Sequence, residues 1–198
     1  MSAPAPPPAP RAAGGGERPG FLIVRLEADG GYRGALMVTD ASGLPLDFRF
    51  TDPISPTRLQ RVLYGGVLDR HLRGEVIART LLEATDQRPT LLLVDDRPLV
   101  DDPAIACPTA LLAASAAGPL AQVGAVQGQG GDTFLLQVAP DANPLRVGLA
   151  DGVDEAARAA MIGALVGLGG TMDLLEPLGR VREALEVIGA GEIPDEEA

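Results

Sequence analysis

Arg88-Pro89-Thr90-Leu91-Leu92-Leu93-Val94-Asp95-Asp96 holds an unbroken apolar run, opened by Pro89 and closed by two acids. Apolar residues without alternation read as a strand covered on both faces, which is how a parallel strand between helical layers is written. Immediately upstream, Val67 to Ala84 carries Leu68, Leu72 and Val76 on one stripe and Ile77, Leu81 and Ala84 on another. That pattern predicts a helix apolar on more than one side, stopped at Arg88-Pro89. A helix leading into a strand buried on both faces points to an α/β protein.

Working outward to the N-terminal side, three short β-type runs precede the helix: Phe21 to Leu26, Ala35 to Thr39 and Leu46 to Thr51. Asp29-Gly30-Gly31 and Asp40-Ala41-Ser42-Gly43 separate them with turn chemistry, since Gly accepts positive φ and Asp bonds the turn backbone. They predict a three-stranded antiparallel meander. Ser55-Pro56 reads as an N-cap with Pro at the first helical position, starting a short helix to Tyr64 that Gly65-Gly66 breaks. On the C-terminal side, Pro108 to Ala117 is Ala-rich and predicts a helix, and Leu120 to Val126 predicts a strand. Gln127 to Asp132 predicts a Gly/Gln loop, with strands at Thr133 to Val138 and Leu145 to Leu149. A helix from Val153 to about Leu168, with Asp151 as cap, and a last helix ending at Ile188 complete the list. This β-β-β-α-β order is similar to that of ribonuclease H-like domains, a mixed sheet with helices on its faces. A roadblock or profilin-type module is the nearest competitor, but would begin with an ordered helix where this chain has a proline-rich stretch.

The chain has 198 residues, 46% apolar, with 25 Gly and 18 Pro. Residues 1–19 predict a disordered Pro/Ala/Gly tail, 20–189 one α/β domain and 190–198 an acidic tail. No apolar stretch approaches the ~20 residues of a membrane span, and residues 1–19 lack a signal core, so a cytoplasmic protein is the expectation. Cys107 and His71 are single residues of their kind, which excludes disulfide frameworks and Cys/His zinc clusters. No Gly-Lys-Ser/Thr loop or Gly-x-Ser-x-Gly elbow occurs, against a P-loop or a serine hydrolase. The net charge is −11, and the whole excess lies in residues 101–198, with four Arg against fifteen acids. Such a balance disfavours nucleic acid as a partner and favours basic protein partners. Within Thr57 to Arg88 the sign reverses, six Arg to four acids, so Arg58, Arg61, Arg70 and Arg73 form a candidate nucleic-acid-binding face.

One acidic constellation is a candidate site. Metal-dependent phosphoryl chemistry needs carboxylates around cations about 4 Å apart. Asp29, or Glu27 in its place, follows the first strand, Glu75 lies on the long helix, and Asp95 or Asp96 ends the central strand. Asp154, with Asp151 and Glu155 beside it, opens a later helix as a possible fourth ligand. At 100° per residue Glu75 falls within about 20° of Leu68 and Leu82, inside an apolar stripe. The alternative is an ordinary i,i+4 pair of Glu75 with Arg79, with Asp95 and Asp96 as strand-end turn residues.

Tyr64-Gly65-Gly66-Val67-Leu68, Arg73-Gly74-Glu75 and Arg88 to Asp95 together resemble the endonuclease V pattern of a Tyr, a Gly-Leu pair, an Arg-Glu on a helix and a strand ending Leu-Val-Asp-Gly. The resemblance implies a Mg²⁺- or Mn²⁺-dependent nuclease, with Asp29, Glu75 and Asp95 as metal-binding and catalytic carboxylates and Tyr64 near the strand-separating wedge. The chain departs from it at Gly74, which parts Arg73 from Glu75, at Asp96, which replaces the Gly, and in lacking the downstream His-Pro-Arg. The residues thus support two functions: a binding or accessory module without catalytic machinery, or a nuclease of this type acting on phosphodiesters. The nuclease requires its carboxylates to converge beside the Arg face; the module requires them apart or neutralised, by Arg79 and Arg97.

Overall fold

The computed structural model describes residues 16–191, so the readings at 1–15 and 192–198 lie outside it. One eight-stranded sheet runs in the order β3-β2-β1-β4-β5-β8-β7-β6. β1 (Pro19–Leu26), β2 (Tyr32–Thr39) and β3 (Pro45–Phe50) form the expected antiparallel meander. β4 (Leu91–Val94) lies parallel to β1 and is buried at every position, as its unbroken apolar run requires. β5 (Thr109–Ala113) continues the parallel set, and β8 (Leu145–Gly148), β7 (Thr133–Leu136) and β6 (Val126–Gly130) extend it antiparallel to the far edge.

Helices cover both faces. Phe21, Ile23, Leu91 and Leu93 point to the face packed by α4 (Glu155–Gly169) and α5 (Glu176–Gly189). Leu22, Val24, Leu92 and Val94 point to the opposite face, against a long irregular helix. That helix runs as α2 (Leu68–His71), a π-helical segment (Leu72–Ala78) and α3 (Arg79–Ala84), and is entered from the exposed α1 (Arg58–Tyr64) through a 3₁₀ turn (Gly65–Val67). Period-2 alternation thus sorts neighbouring strand residues into two separate cores.

Several local readings are corrected. Residues 109–113 form a strand where the Ala content predicted a helix, because pairing with both β4 and β8 outweighs local propensity. Residues 120–125 are bends and turns, and the adjacent Gly/Gln segment is the exposed edge strand β6, held by β7 alone. Thr57, not Ser55, caps α1 through a capping box with Gln60. Asp154, not Asp151, caps α4 by accepting from the Ala157 amide at 2.7 Å. The break expected at Gly65-Gly66 is present: Gly65 takes φ 51° and ψ −131°, outside the helical region, and a 3₁₀ turn leads from it into α2.

The π segment has the largest consequence. Its wider turns add a residue to the i→i−4 repeat and shift the helix's phase relative to the 100° wheel. Leu72, Gly74, Ile77 and Ala78 face the core, and Glu75 turns to solvent instead of standing in the apolar stripe. Gly74 is required there, because a Cβ would collide with the buried Asp102 carboxylate.

Candidate functional site

The carboxyl ends of β1 and β4 lie side by side, Leu22 facing Val94, so Val24 and Asp96 project at one level. Adjacent parallel strand ends in an open α/β sheet leave a crevice where ligands commonly bind. Arg73, from the π segment, occupies it. Its Nη1 donates to the Val24 carbonyl and to Asp96 Oδ2, both at 2.7 Å, and its Nε donates to both oxygens of Asp69 at 3.0 Å. The Tyr32 hydroxyl also donates to Asp69 at 3.0 Å, and the Arg73 guanidinium stands 5.7 Å from the Tyr32 ring centre. The Arg73 side chain is only 13% exposed, so these bonds lie largely out of water.

One guanidinium serves two carboxylates. Burial raises the Asp96 carboxyl above its ordinary value; Arg73 pulls it down, while Asp95 and Asp69 push it up. The rise persists despite a 2.7 Å ion pair because burial, with Asp95 and Asp69 adding to it, outweighs the pull of Arg73. Burial, followed by the Asp69 hydrogen bond, raises the Tyr32 hydroxyl in the same way.

Consecutive acids after β4 take opposite faces. Asp96 meets Arg73 on the side of the long helix, whereas Asp95 pairs with Arg182 of α5 at 3.0 Å on the other side. A strand's alternation keeps the two carboxylates from chelating one ion together. Asp29 lies in the β1–β2 turn, where it accepts from the Gly31 amide at 2.9 Å. Glu75 pairs with Arg79 at 3.3 Å on the exposed helix face. Asp154 is spent on its cap, and Asp151 is held by Arg97 at 2.7 Å. Asp29, Glu75, Asp95 and Asp154 are therefore not brought together, and among the described residues no three His, Cys, Asp or Glu gather as metal ligands. The donor set at the strand ends does not fit the metal centre that the resemblance implies: Asp96 and Asp69 face the Arg73 guanidinium, and Asp95 is turned away to Arg182.

The candidate basic face divides as well. Arg73 is drawn inward, Arg61 Nη2 donates to the Gly30 carbonyl at 3.0 Å, and Arg58 and Arg70 are exposed. Tyr64 stacks on His71 with ring centres 4.9 Å apart. Alongside them Leu59, Val62, Leu63 and Val67 stand on the surface, each more than half exposed, and α1 buries none of its residues. Sequence reading missed the pairing of Arg73 with Asp96 and Asp69. The i,i+4 spacing of Asp69 and Arg73 was the one signal available.

No protein-family model matches the chain, and no curated protein matches it in sequence. Solved structures do match in fold. Endonuclease V from Streptomyces avermitilis superposes with a TM-score of 0.56 at 19% identity, over 94% of this chain and 86% of that one. Human endonuclease V superposes at 0.56 and 14% identity, over 93% of this chain and 89% of that one. Ciona intestinalis endonuclease V, bound to DNA containing an inosine followed by a ribo-adenosine, superposes at 0.53 and 12% identity, over 87% of each chain. The likeness first visible in residues 64–95 therefore extends, as fold, over most of the chain, which has the ribonuclease H-like architecture of the endonuclease V structures.

Proposed function

We propose that this chain is a non-catalytic binding module built on the endonuclease V type of fold, with an acidic, apolar-faced protein segment as its partner. The observation that carries this is Arg73, which puts a permanent positive charge between Val24, Asp69 and Asp96. Arg does not give up its proton, so it occupies those oxygens at any working pH and a divalent ion would have to displace it. Glu75 and Asp95 are neutralised separately by Arg79 and Arg182. The exposed Leu59, Val62, Leu63 and Val67 offer a contact surface of the kind that marks interaction sites. Residues 53–68 contain Arg58 and Arg61 and no acid, which favours a partner of opposite charge.

The test has two parts. The intact protein is incubated with Mg²⁺ and with Mn²⁺ on inosine-containing DNA, and its melting is followed against metal concentration. Neither cleavage nor a metal-dependent rise in Tm is expected. For the surface, a Leu59→Gln/Val62→Gln/Leu63→Gln variant keeps the wild-type melting temperature, since those side chains bury little, and loses binding of an apolar dye. Unchanged dye binding would remove α1 as the contact surface.

A second reading, a nuclease, is favoured by the likeness to endonuclease V structures, one of them DNA-bound, over most of the chain. In that reading Asp29, Glu75, Asp95 and Asp154 hold Mg²⁺ or Mn²⁺, and Arg58, Arg61, Arg70 and Arg73 meet phosphate. It requires Arg73 to leave the strand ends. Metal-dependent cleavage that is lost in Glu75→Ala and Asp95→Ala would establish it and overturn the first.

A further inference from the structure

Arg33 is the least explained charge in the molecule. It stands on β2 opposite Arg25 of β1, on the sheet face covered by α5. The residue is 8% exposed, and its Nε and Nη1 are buried with no hydrogen-bond acceptor among the described residues. Other buried polar groups are satisfied: Gln137 donates to two carbonyls and accepts an amide, and Asp102 accepts from the Ala104 amide. Arg33 is thus an exception in a well-paired interior, and such exceptions ask for a missing partner. A guanidinium cannot escape by losing its proton, and an unpaired buried charge is among the costliest features a fold can carry.

The space beside it is a cavity of about 430 Å³, lined also by Arg25, Glu27, Asp29 and Glu186. Gly189 closes it at the end of α5, where a Cβ would come within 3.2 Å of Arg33 Nη1. The helix therefore brings its C-terminal end, with its partial negative charge, down beside the guanidinium without supplying a hydrogen bond. Two of the three acids are engaged: Glu186 holds Arg25 at 3.2 Å, and Asp29 accepts from the Gly31 amide. Glu27 makes no side-chain bond to the described residues and is the internal competitor.

We propose that this cavity is a binding site for a small oxyanion, a phosphate or carboxylate group received by the Arg33 guanidinium beneath the end of α5. Each of the two edges that a guanidinium presents to an oxyanion includes one of the unmet donors, Nε or Nη1. The site is separate from the Arg73 centre, since β2 residues 33 and 32 face opposite sides of the sheet.

The experiment titrates inorganic phosphate, and acetate in parallel, into the full chain and into Arg33→Met and Arg33→Lys. It reads Tm and ³¹P line broadening. Wild type is expected to gain about 5–10 °C at a hundredfold excess over Kd. Arg33→Lys should gain less and Arg33→Met only the small rise that phosphate gives proteins by exclusion. A variant with Glu192, Asp195, Glu196 and Glu197 made neutral identifies the source. A response that appears only there shows the same oxyanion chemistry supplied by the chain's own carboxylates. The proposal is overturned if wild type and Arg33→Met respond equally in every background, or if Glu27→Gln alone opens a phosphate response, which would make Glu27 the internal partner.

Discussion

Replacing Arg73 by Glu inverts the charge at the strand ends and is the sharpest probe of what the guanidinium does. In the native protein it makes four short bonds, to Asp69, Asp96 and the Val24 carbonyl. Removing one partner of a buried, hydrogen-bonded charge pair costs about 3–5 kcal/mol. The Asp96 and Asp69 side chains are 34% and 49% exposed, so water recovers part of that, and about 2–3 kcal/mol is expected for Arg73→Met. In a domain of this size that is a fall of about 5–10 °C in Tm. Arg73→Glu should lose at least as much, since it sets a third carboxylate beside Asp69 and Asp96. It differs in one respect: Mn²⁺ should restore stability to Arg73→Glu by mass action and leave wild type and Arg73→Met unmoved. Scanning fluorimetry across micromolar to millimolar Mn²⁺ reads both effects. Two results refute the reasoning: a wild-type gain with Mn²⁺ as large as that of Arg73→Glu, which would show the guanidinium yielding to metal, or an Arg73→Met that melts within about 1 °C of wild type.

Three further outcomes are expected. Gly74→Ala should destabilise by about 1–3 kcal/mol in urea unfolding, because the new methyl meets the Asp102 carboxylate, and Gly163→Ala, whose Cβ would meet open space, should not; equal effects would deny the close packing of the π segment. Burial pushes the Cys107 thiol up to about 11, so at pH 8 its alkylation by iodoacetamide should be roughly a hundredfold slower than that of the unfolded chain, and equal rates would contradict the burial. The Asp47 carboxyl lies below its ordinary value, burial being outweighed by the Thr85 hydroxyl and Arg49; Asp40 is lowered chiefly by the Ser42 hydroxyl. A depressed folded value means stability that is present above the unfolded value of 3.8 and lost as pH falls through the folded one, so acid unfolding of Asp47→Asn should be shallower there. Asp96 has the opposite sign: its raised value contributes stability at low pH that is lost as pH rises through it, so Asp96→Asn should steepen the acid limb.

Much of the fold was legible because it is written locally. The meander from β1 to β3 follows from two Asp/Gly turns between short β-type runs, and β4 follows from an apolar run too short for a helix and too continuous for an exposed strand. β5 was not legible: Thr109 to Ala113 has helix-compatible residues, and only its two sheet neighbours make it a strand. β6 escaped for the converse reason, since an exposed, Gly-rich edge strand has no apolar signature and exists through β7.

The candidate site divides along the same line. Sequence order alone determined that acids would stand at the ends of β1 and β4 beside a helix rich in Arg, because strand ends and a helix stop are local properties. Which acid meets which arginine was decided by tertiary structure. Alternation sends Asp95 to Arg182 on α5 and Asp96 to Arg73 on the opposite face. The π segment, with Gly74 against Asp102, turns Glu75 out to solvent and sets Arg73 inward. A wheel at 100° per residue cannot foresee that turn, because the extra residue is accommodated by packing between the helix and the segment that carries Asp102, far along the chain.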